Sequence, residues 1–228
     1  IQGAGVGKTI IRSNYQASNP GNTFSEGNFL IVYNPEDPGA NQPFRITGLT
    51  LDLMNKCGGI LLKNLSVTPI NKIRIDHNEI KNAGNSSGSM RAVMIFGTVY
   101  GVIDNNILKD NKKHIDSYGY NERTWNNLAF SFGTADNMYY EDNTFYIDDT
   151  PHSGGAGGRY CARFNTYIYS GTVSLSPWFD MHGNQGPGSN LATMGAEIYG
   201  NIVHAGTHGV GIFDQRGGKA VIFDNTVN

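Results

Sequence analysis

Apolar residues recur at fixed distances from a series of asparagines along this chain. The asparagines are Asn78, Asn106, Asn143, Asn165, Asn201 and Asn225, separated by 28, 37, 22, 36 and 24 residues. Three positions before them stand Ile75, Ile103, Tyr140, Ala162, Ile198 and Ile222, and two positions after them stand Ile80, Leu108, Phe145, Tyr167, Val203 and Val227. Because side chains alternate along a strand, this spacing predicts a strand on each side of a tight turn at the asparagine, with both columns facing one core.

The repeated unit predicts an all-β solenoid of parallel strands. Asparagine tolerates left-handed backbone and can hydrogen-bond to the units above and below, so the six residues predict an amide ladder within the stack. A shortest spacing of 22 residues, lengthened elsewhere by loops, favours a parallel β-helix. An antiparallel sandwich or a propeller is the alternative, and it would need hairpin or blade signatures. Gly48 is predicted to take the place of the asparagine in an earlier unit.

Composition adds the size and the organisation of the domain. The chain has 228 residues, 39% hydrophobic and 16% charged, which predicts one domain over residues 1–228. Residues 1–42 predict irregular early coils with strands at 9–11 and Phe29–Tyr33, and residues 43–228 predict regular coils. Long loops are expected near 110–126, 148–158 and 185–194. Because the sequence opens on Ile1, we expect a processed or trimmed chain, which makes it a fragment of a longer protein.

Charge and cysteine usage limit the kinds of partner. A net charge of −2 gives no electrostatic argument for a nucleic-acid partner, and no apolar run approaches the ~18–20 residues of a membrane span. We interpret Cys57 and Cys161 as two buried thiols, with a disulfide as the alternative. A mostly polar outward column favours a monomer over a trimer.

The asparagine-centred units, together with GAGVGKTII near the start, resemble the right-handed parallel β-helix, or pectin-lyase-like, superfamily over nearly the whole chain. Within it, RYCARFNTYIY, FDMHGN, AEIYGN and QRGGKAVIFDN are most similar to uncharacterised bacterial β-helix proteins. The resemblance implies a secreted or cell-surface protein whose partner is a polysaccharide. Many members are polysaccharide lyases or glycoside hydrolases, and others are adhesins or phage tail proteins, so a non-catalytic binding or structural module is the alternative. In the enzymes, the substrate groove lies along the first sheet, which here would hold 93–97 and 211–216.

A candidate catalytic site follows from aligning WFDMHGN with IFDQRGG, which pairs Asp180 with Asp214 and His182 with Arg216. If the phenylalanines face inward, the four ionisable groups face outward together within roughly 5 by 7 Å. In a lyase, Arg216 would neutralise a substrate carboxylate, His182 or Lys219 would remove the neighbouring proton, and the two aspartates would orient or protonate. In a hydrolase, Asp180 and Asp214 would be the acid and the base. The structural alternative is two charge pairs at strand ends, followed by glycine turns.

Substrate-binding candidates are aromatic or basic. Tyr160, Trp125 and Trp178, like Tyr118 and Tyr120, are predicted to offer flat faces to sugar rings, although both tryptophans could equally be ordinary packing. Arg163 is a candidate because Arg163-Phe164-Asn165-Thr166 loosely resembles the Arg-Asn-Thr of some alginate and chondroitin lyases.

Metal binding is predicted at one acidic column. Asp76, Asp104 and Glu141 stand two positions before an asparagine, with Arg163 next in the row, and stacked carboxylates would favour Ca²⁺. The alternative is an ordinary exposed acidic face on the second sheet. Zinc is not expected, because His204 and His208 lie on a Gly-Thr loop, and His114 and His152 are predicted in exposed loops.

Overall fold

The structure is a computed structural model, and it describes residues 1–19, 22, 24–84, 90–120, 125, 128–169, 171, 178–184, 191–206 and 211–228. These residues form three parallel sheets. Sheet 1 contains β2 Phe29–Tyr33, β5 Gly58–Asn64, β8 Arg91–Gly97, β11 Lys113–Tyr118, β14 His152–Gly155, β17 Phe179–Met181 and β20 Phe213–Gln215. Sheet 2 contains β3 Phe44–Thr47, β6 Ile70–Asp76, β9 Val99–Asp104, β12 Met138–Glu141, β15 Arg159–Arg163, β18 Gly195–Tyr199 and β21 Lys219–Phe223.

Sheet 3 contains β1 Ile10–Arg12, β4 Thr50–Asp52, β7 Glu79–Lys81, β10 Ile107–Lys109, β13 Thr144–Ile147, β16 Thr166–Tyr169, β19 Ile202–His204 and β22 Thr226–Val227. Short 3₁₀ helices lie at Glu26–Asn28 and Pro38–Ala40. Each strand pairs in parallel with the strand three places earlier or later in the chain, so the chain visits the sheets in rotation. We call each set of three consecutive strands from sheets 1, 2 and 3 a rung. The prediction of an all-β, parallel architecture is confirmed, and the arrangement is compatible with a parallel β-helix.

Both predicted apolar columns line the core between the sheets. In the column before the asparagines, Ile75, Ile103, Tyr140 and Ala162 are fully buried. The column after the asparagines is buried in the same way from Ile80 to Val203. Only the last rung differs, where Ile222 is 41% and Val227 is 50% exposed, because no described strand packs beyond them.

The predicted asparagine ladder is confirmed. From Asn106 onward, each side-chain oxygen accepts from the backbone N–H and the side-chain amide of the asparagine one rung earlier, as Asn143 accepts from Asn106 at 2.9 and 3.0 Å. The same bonds run from Asn78 through to Asn225. Two details of the prediction were wrong. Leu49, not Gly48, takes the earlier ladder position, since its N–H donates to Asn78. The left-handed residue is the one before each asparagine, such as Asn105 with φ 54°.

The loop predictions were only partly right. Residues 110–126 include β11 and residues 148–158 include β14, so two strands of sheet 1 were missed, while 185–190 lie outside the described residues. His114 and His152 are fully buried, not exposed. Strand β2 matches its predicted bounds, and both cysteines are free, buried thiols as predicted. None of the helices among the described residues is long and apolar enough to cross a membrane.

Candidate functional site

The outer face of sheet 1 changes from apolar to charged along the stack of rungs. In register, one outward column runs through Leu61, Met94, Asp116, Ser153, Asp180 and Asp214. A second column, two residues further along each strand, runs through Lys63, Phe96, Tyr118 and Gly155 and continues with His182 and Arg216 beyond the ends of β17 and β20. The early rungs carry a small apolar cluster of Phe29, Leu61, Met94 and Phe96, and most of the ionisable groups lie in the later rungs.

The predicted register between β17 and β20 is confirmed, and it brings four ionisable side chains together. Asp180 pairs with Asp214 across the two strands, and the rings of Phe179 and Phe213 stack at 5.4 Å. We call Asp180, His182, Asp214 and Arg216 the charged patch.

The charged patch is one connected network. Asp180 Oδ2 lies 2.8 Å from His182 Nε2, and its Oδ1 accepts from Arg216 Nη2. Arg216 Nε lies 2.9 Å from Asp214 Oδ2, and Nη2 also lies 3.3 Å from His182 Nδ1. Since a guanidinium can only donate, His182 Nδ1 is the acceptor in that contact. The ring proton of neutral His182 is therefore on Nε2, directed at Asp180.

The electrostatics of the patch fix the charge of Asp180. Burial raises the pKa of this carboxyl, but hydrogen bonds from His182 and Arg216 outweigh it, so the pKa lies below its usual value. The hydrogen bond to Asp180 raises the pKa of Arg216. Solvent still reaches the patch, because the side chains of Arg216 and Asp214 are 33% and 38% exposed whereas that of Asp180 is 11% exposed. Asp180 is thus an ionised anchor beneath two accessible groups.

Tyr118 joins the patch from two rungs away. Its ring lies over Gly155, where a Cβ atom would come within 2.5 Å of the ring, and reaches His182 with 6.1 Å between ring centroids. Its hydroxyl lies 3.1 Å from the Ser153 Oγ. Burial raises the pKa of Tyr118 to about 12, so the phenol keeps its proton at neutral pH. Sequence reasoning named Tyr118 only as a loop aromatic.

The first outward column, which contains Asp180, also holds a carboxylate oxygen without a partner among the described residues. Asp116 is fully buried, its Oδ2 lies 2.5 Å from Arg91 Nε, and its Oδ1 has no hydrogen-bond partner among the described residues. Sequence reasoning missed Asp116, although the dipeptide Ile115-Asp116 repeats the pattern of Phe179-Asp180 and Phe213-Asp214. That repeat was the signal that could have placed β11 on sheet 1.

Lys219 does not belong to the charged patch. It begins β21 in sheet 2, where its strand neighbours Ala220 and Ile222 pair with inward residues of β18. Alternation therefore turns Lys219 to the outer face of sheet 2, with an exposed side chain. The prediction of Lys219 as a base was wrong, because the turn at 217–218 carries it onto another sheet.

Three aromatic residues that were predicted to offer flat faces to sugar rings are buried, so that prediction was wrong for them. Tyr160 lies inside the stack, parallel to Tyr140 at 5.7 Å. Trp178 is fully buried with its ring 6.4 Å from that of Tyr169. Trp125 covers sheet 2, and its carbonyl accepts from the buried Arg159 at 2.6 Å. Packing, the alternative stated for the tryptophans, accounts for both of them.

Arg163 and the acidic column lie on sheet 2, each acid beside an arginine. The pairs are Arg45 with Asp76 at 2.6 Å, Arg74 with Asp104 at 2.8 Å and Arg163 with Glu141 at 2.5 Å. The arginines balance the carboxylates, so the repulsion that motivated the Ca²⁺ prediction is absent. Sequence reasoning did not see that Arg45 and Arg74 reach across to the acids of the next rung. Among the described residues, no group of three or more His, Cys, Asp or Glu side chains could hold a metal ion.

Comparison of the chain with protein-family models, with curated proteins and with solved structures found no match in any of the three. The charged patch and its neighbours therefore have to be interpreted from their own chemistry.

Proposed function

We propose that this chain is a right-handed parallel β-helix protein of the pectin-lyase-like superfamily, secreted or displayed at the cell surface, that cleaves an acidic polysaccharide by β-elimination. The rotation of the strands through three parallel sheets and the asparagine ladder support the fold assignment. The observation that carries the activity is the partly exposed Arg216 beside His182 on the outer face of sheet 1.

In the proposed reaction, Arg216 binds the carboxylate of a uronate residue. Its Nη1 has no hydrogen-bond partner among the described residues, and the guanidinium is accessible from solvent. Neutralising the carboxylate acidifies the neighbouring C–H bond, because the negative charge that develops on the carboxylate is stabilised by the cation. When Nη2 turns to the substrate, the lone pair of His182 Nδ1 is released.

His182 Nδ1 then takes the proton from carbon, the electron pair forms the C=C bond, and the C–O bond to the leaving sugar breaks. Asp180 holds the imidazole through Nε2–H and stabilises the imidazolium that forms. Tyr118, which keeps its proton at neutral pH, donates that proton to the leaving oxygen. Asp214 orients Arg216 from the other side.

The charge state of Asp180 excludes it as the acid of a hydrolase pair and suits the orienting role that it has in the proposed β-elimination. A hydrolase needs one carboxyl of its pair protonated, usually through a raised pKa. The pKa of Asp180 is lowered, since the hydrogen bonds from His182 and Arg216 outweigh burial. Asp180 is thus an orienting group in our proposal, not a proton donor.

A second candidate function is non-catalytic glycan binding. One observation favours it: Arg216 is already bound by two carboxylates, so its positive charge is neutralised without a ligand. A binding module would need the patch only as a rigid polar surface.

One assay separates the two functions. The protein is incubated with polygalacturonate, alginate and chondroitin, and the absorbance of unsaturated uronate products is followed together with reducing ends. The proposed lyase gives both signals together. Reducing ends without absorbance would indicate hydrolysis, and silence in both with retained binding would leave only the binding module.

A further inference from the structure

Phe164 has a backbone conformation that its residue type rarely adopts. It precedes Asn165 in the ladder with φ 57°, in the left-handed region. The corresponding residues of the other rungs are of types that tolerate this region better, namely Gly48, His77, Asn105, Asp142, Gly200 and Asp224. A bulky residue there is strained, and such strain is concentrated at functional positions.

The strain is not explained by burial of the ring. Phe164 is 52% exposed. Its ring lies on Gly200, where a Cβ atom would come within 2.6 Å of it, and it is nearly perpendicular to Tyr199 at 88°. Since Tyr199 stacks on Phe223 at 4.7 Å along the rungs, the ring of Phe164 is turned across that stack and keeps about half of its surface exposed.

Polar groups surround the exposed part of the ring. The guanidinium of Arg163 lies over the ring of Phe164, 5.7 Å from its centroid, and Nη1 donates to the hydroxyl of Tyr199 at 2.9 Å. In the same turn column, Asp142 stands one rung before Phe164 and Asp224 two rungs after it, both exposed. A flat apolar ring with hydrogen-bonding groups on both sides is the arrangement that recognises a pyranose, whose ring faces are apolar and whose edges carry hydroxyls.

We infer that Phe164, with Asp142, Arg163 and Asp224 around it, is a carbohydrate-binding site for a neutral pyranose residue on the outer edge of sheet 2. The charges favour a neutral sugar over a uronate. Asp142 and Asp224 would repel a carboxylate, and Arg163 is already paired with Glu141 at 2.5 Å. This site is separate from the charged patch on sheet 1 and does not depend on cleavage there.

The test measures binding of neutral hexasaccharides of β-1,4-linked glucose, mannose and galactose by isothermal titration calorimetry. We expect one of them to bind, Phe164→Asn to lower that affinity about tenfold or more, and Phe164→Tyr to retain it. Because asparagine suits left-handed backbone, Phe164→Asn should keep or raise the midpoint of thermal unfolding, by up to about 2–4 °C. Tyr146→Asn, which removes an aromatic ring that is 38% exposed on sheet 3, is the matched control and should bind normally.

Three results would overturn the inference: no binding of any of the three sugars, unchanged affinity in Phe164→Asn, or a lowered unfolding midpoint in Phe164→Asn, which would mean that the ring is needed for packing. Arg216→Ala separates this site from the proposed lyase. If Arg216→Ala binds the hexasaccharide normally, the two sites are independent, and if it loses binding, the ligand lies on sheet 1 and the inference fails.

Discussion

Two rows of carboxylates stand on neighbouring sheets and differ in how they share arginines. On sheet 2, three arginines stand against the three acids of the row, as in Arg74, which forms two hydrogen bonds with Asp104 at 3.0 and 2.8 Å and also lies 3.7 Å from Asp76. On sheet 1, the single Arg216 serves both Asp180 and Asp214 and also contacts His182. The parallel register is the same on both sheets, so the difference lies in the ratio of cations to acids.

That ratio separates a structural pair from a candidate site. Where a row holds as many arginines as acids, each carboxylate is satisfied without a ligand, and its replacement affects mainly stability. An arginine shared between two acids and a histidine can exchange one partner for a ligand, and the histidine is then free to move a proton. The sheet 2 row therefore predicts loss of stability on mutation, and the sheet 1 patch predicts loss of activity.

The largest expected effect is that of Arg216→Ala. If Arg216 neutralises the substrate carboxylate, its removal should lower kcat/KM on the active uronate polymer about 10²–10³-fold. Arg74→Ala, which removes an arginine of the sheet 2 row, is the matched control and should keep kcat/KM within about twofold. Equal losses in both variants, at equal unfolding midpoints, would remove the distinction between the two rows.

The second comparison is in stability. Asp76 is fully buried and accepts from Arg45, Thr47 and His77, so Asp76→Asn should lower the free energy of unfolding by about 2–3 kcal/mol. Asp214 is 38% exposed with one ion pair, so Asp214→Asn should cost less than about 1 kcal/mol. Urea unfolding of both variants at pH 7 measures the difference, and an Asp214→Asn variant that is the less stable of the two would contradict it.

The pH dependence of stability sharpens the same contrast. Burial raises the pKa of Asp76, but the hydrogen bonds from Arg45, His77 and Thr47 lower it by more than burial raises it. The pKa in the folded protein therefore lies far below that in the unfolded chain. Such a group stabilises the fold above the unfolded pKa of about 3.9 and loses that contribution as the pH falls towards the folded pKa. The stability advantage of the unchanged protein over Asp76→Asn should therefore be constant from pH 7 to pH 5. Below about pH 4, it should shrink by roughly 1.4 kcal/mol per pH unit. An advantage that is constant down to pH 3 would show that the carboxylate charge is not what stabilises the fold.

Sequence patterns sufficed where a rung repeats a residue for a physical reason. The ladder was predictable because a buried amide needs another amide in the next rung, as Asn106 needs Asn143. The patch register was predictable because Phe179-Asp180 and Phe213-Asp214 repeat the same inward and outward residues.

Sequence patterns failed where a partner comes from elsewhere in the fold. His152 occupies a core position of β14, although the sequence predicted it in a loop. Its buried Nε2 lies 2.8 Å from the hydroxyl of Tyr167, a hydrogen-bond partner on sheet 3 that the local sequence does not reveal. The buried neutral ring has its pKa lowered to about 3 by that burial. The reach of Tyr118 across Gly155 was equally invisible, since it depends on a missing side chain in another rung.

The smallest expected effect is that of Lys219→Ala, and it tests whether sheet identity decides function. Lys219 is three residues from Arg216 in sequence, but it begins β21 on sheet 2 and its side chain faces away from sheet 1. Because an exposed lysine contributes little to stability, the variant should unfold within about 0.5 kcal/mol of the unchanged protein. Its kcat/KM should also lie within about twofold, whereas His182→Ala should lose the activity. A Lys219→Ala variant with as large a loss of kcat/KM as His182→Ala would mean that Lys219 is the base and that the turn at 217–218 carries part of the site.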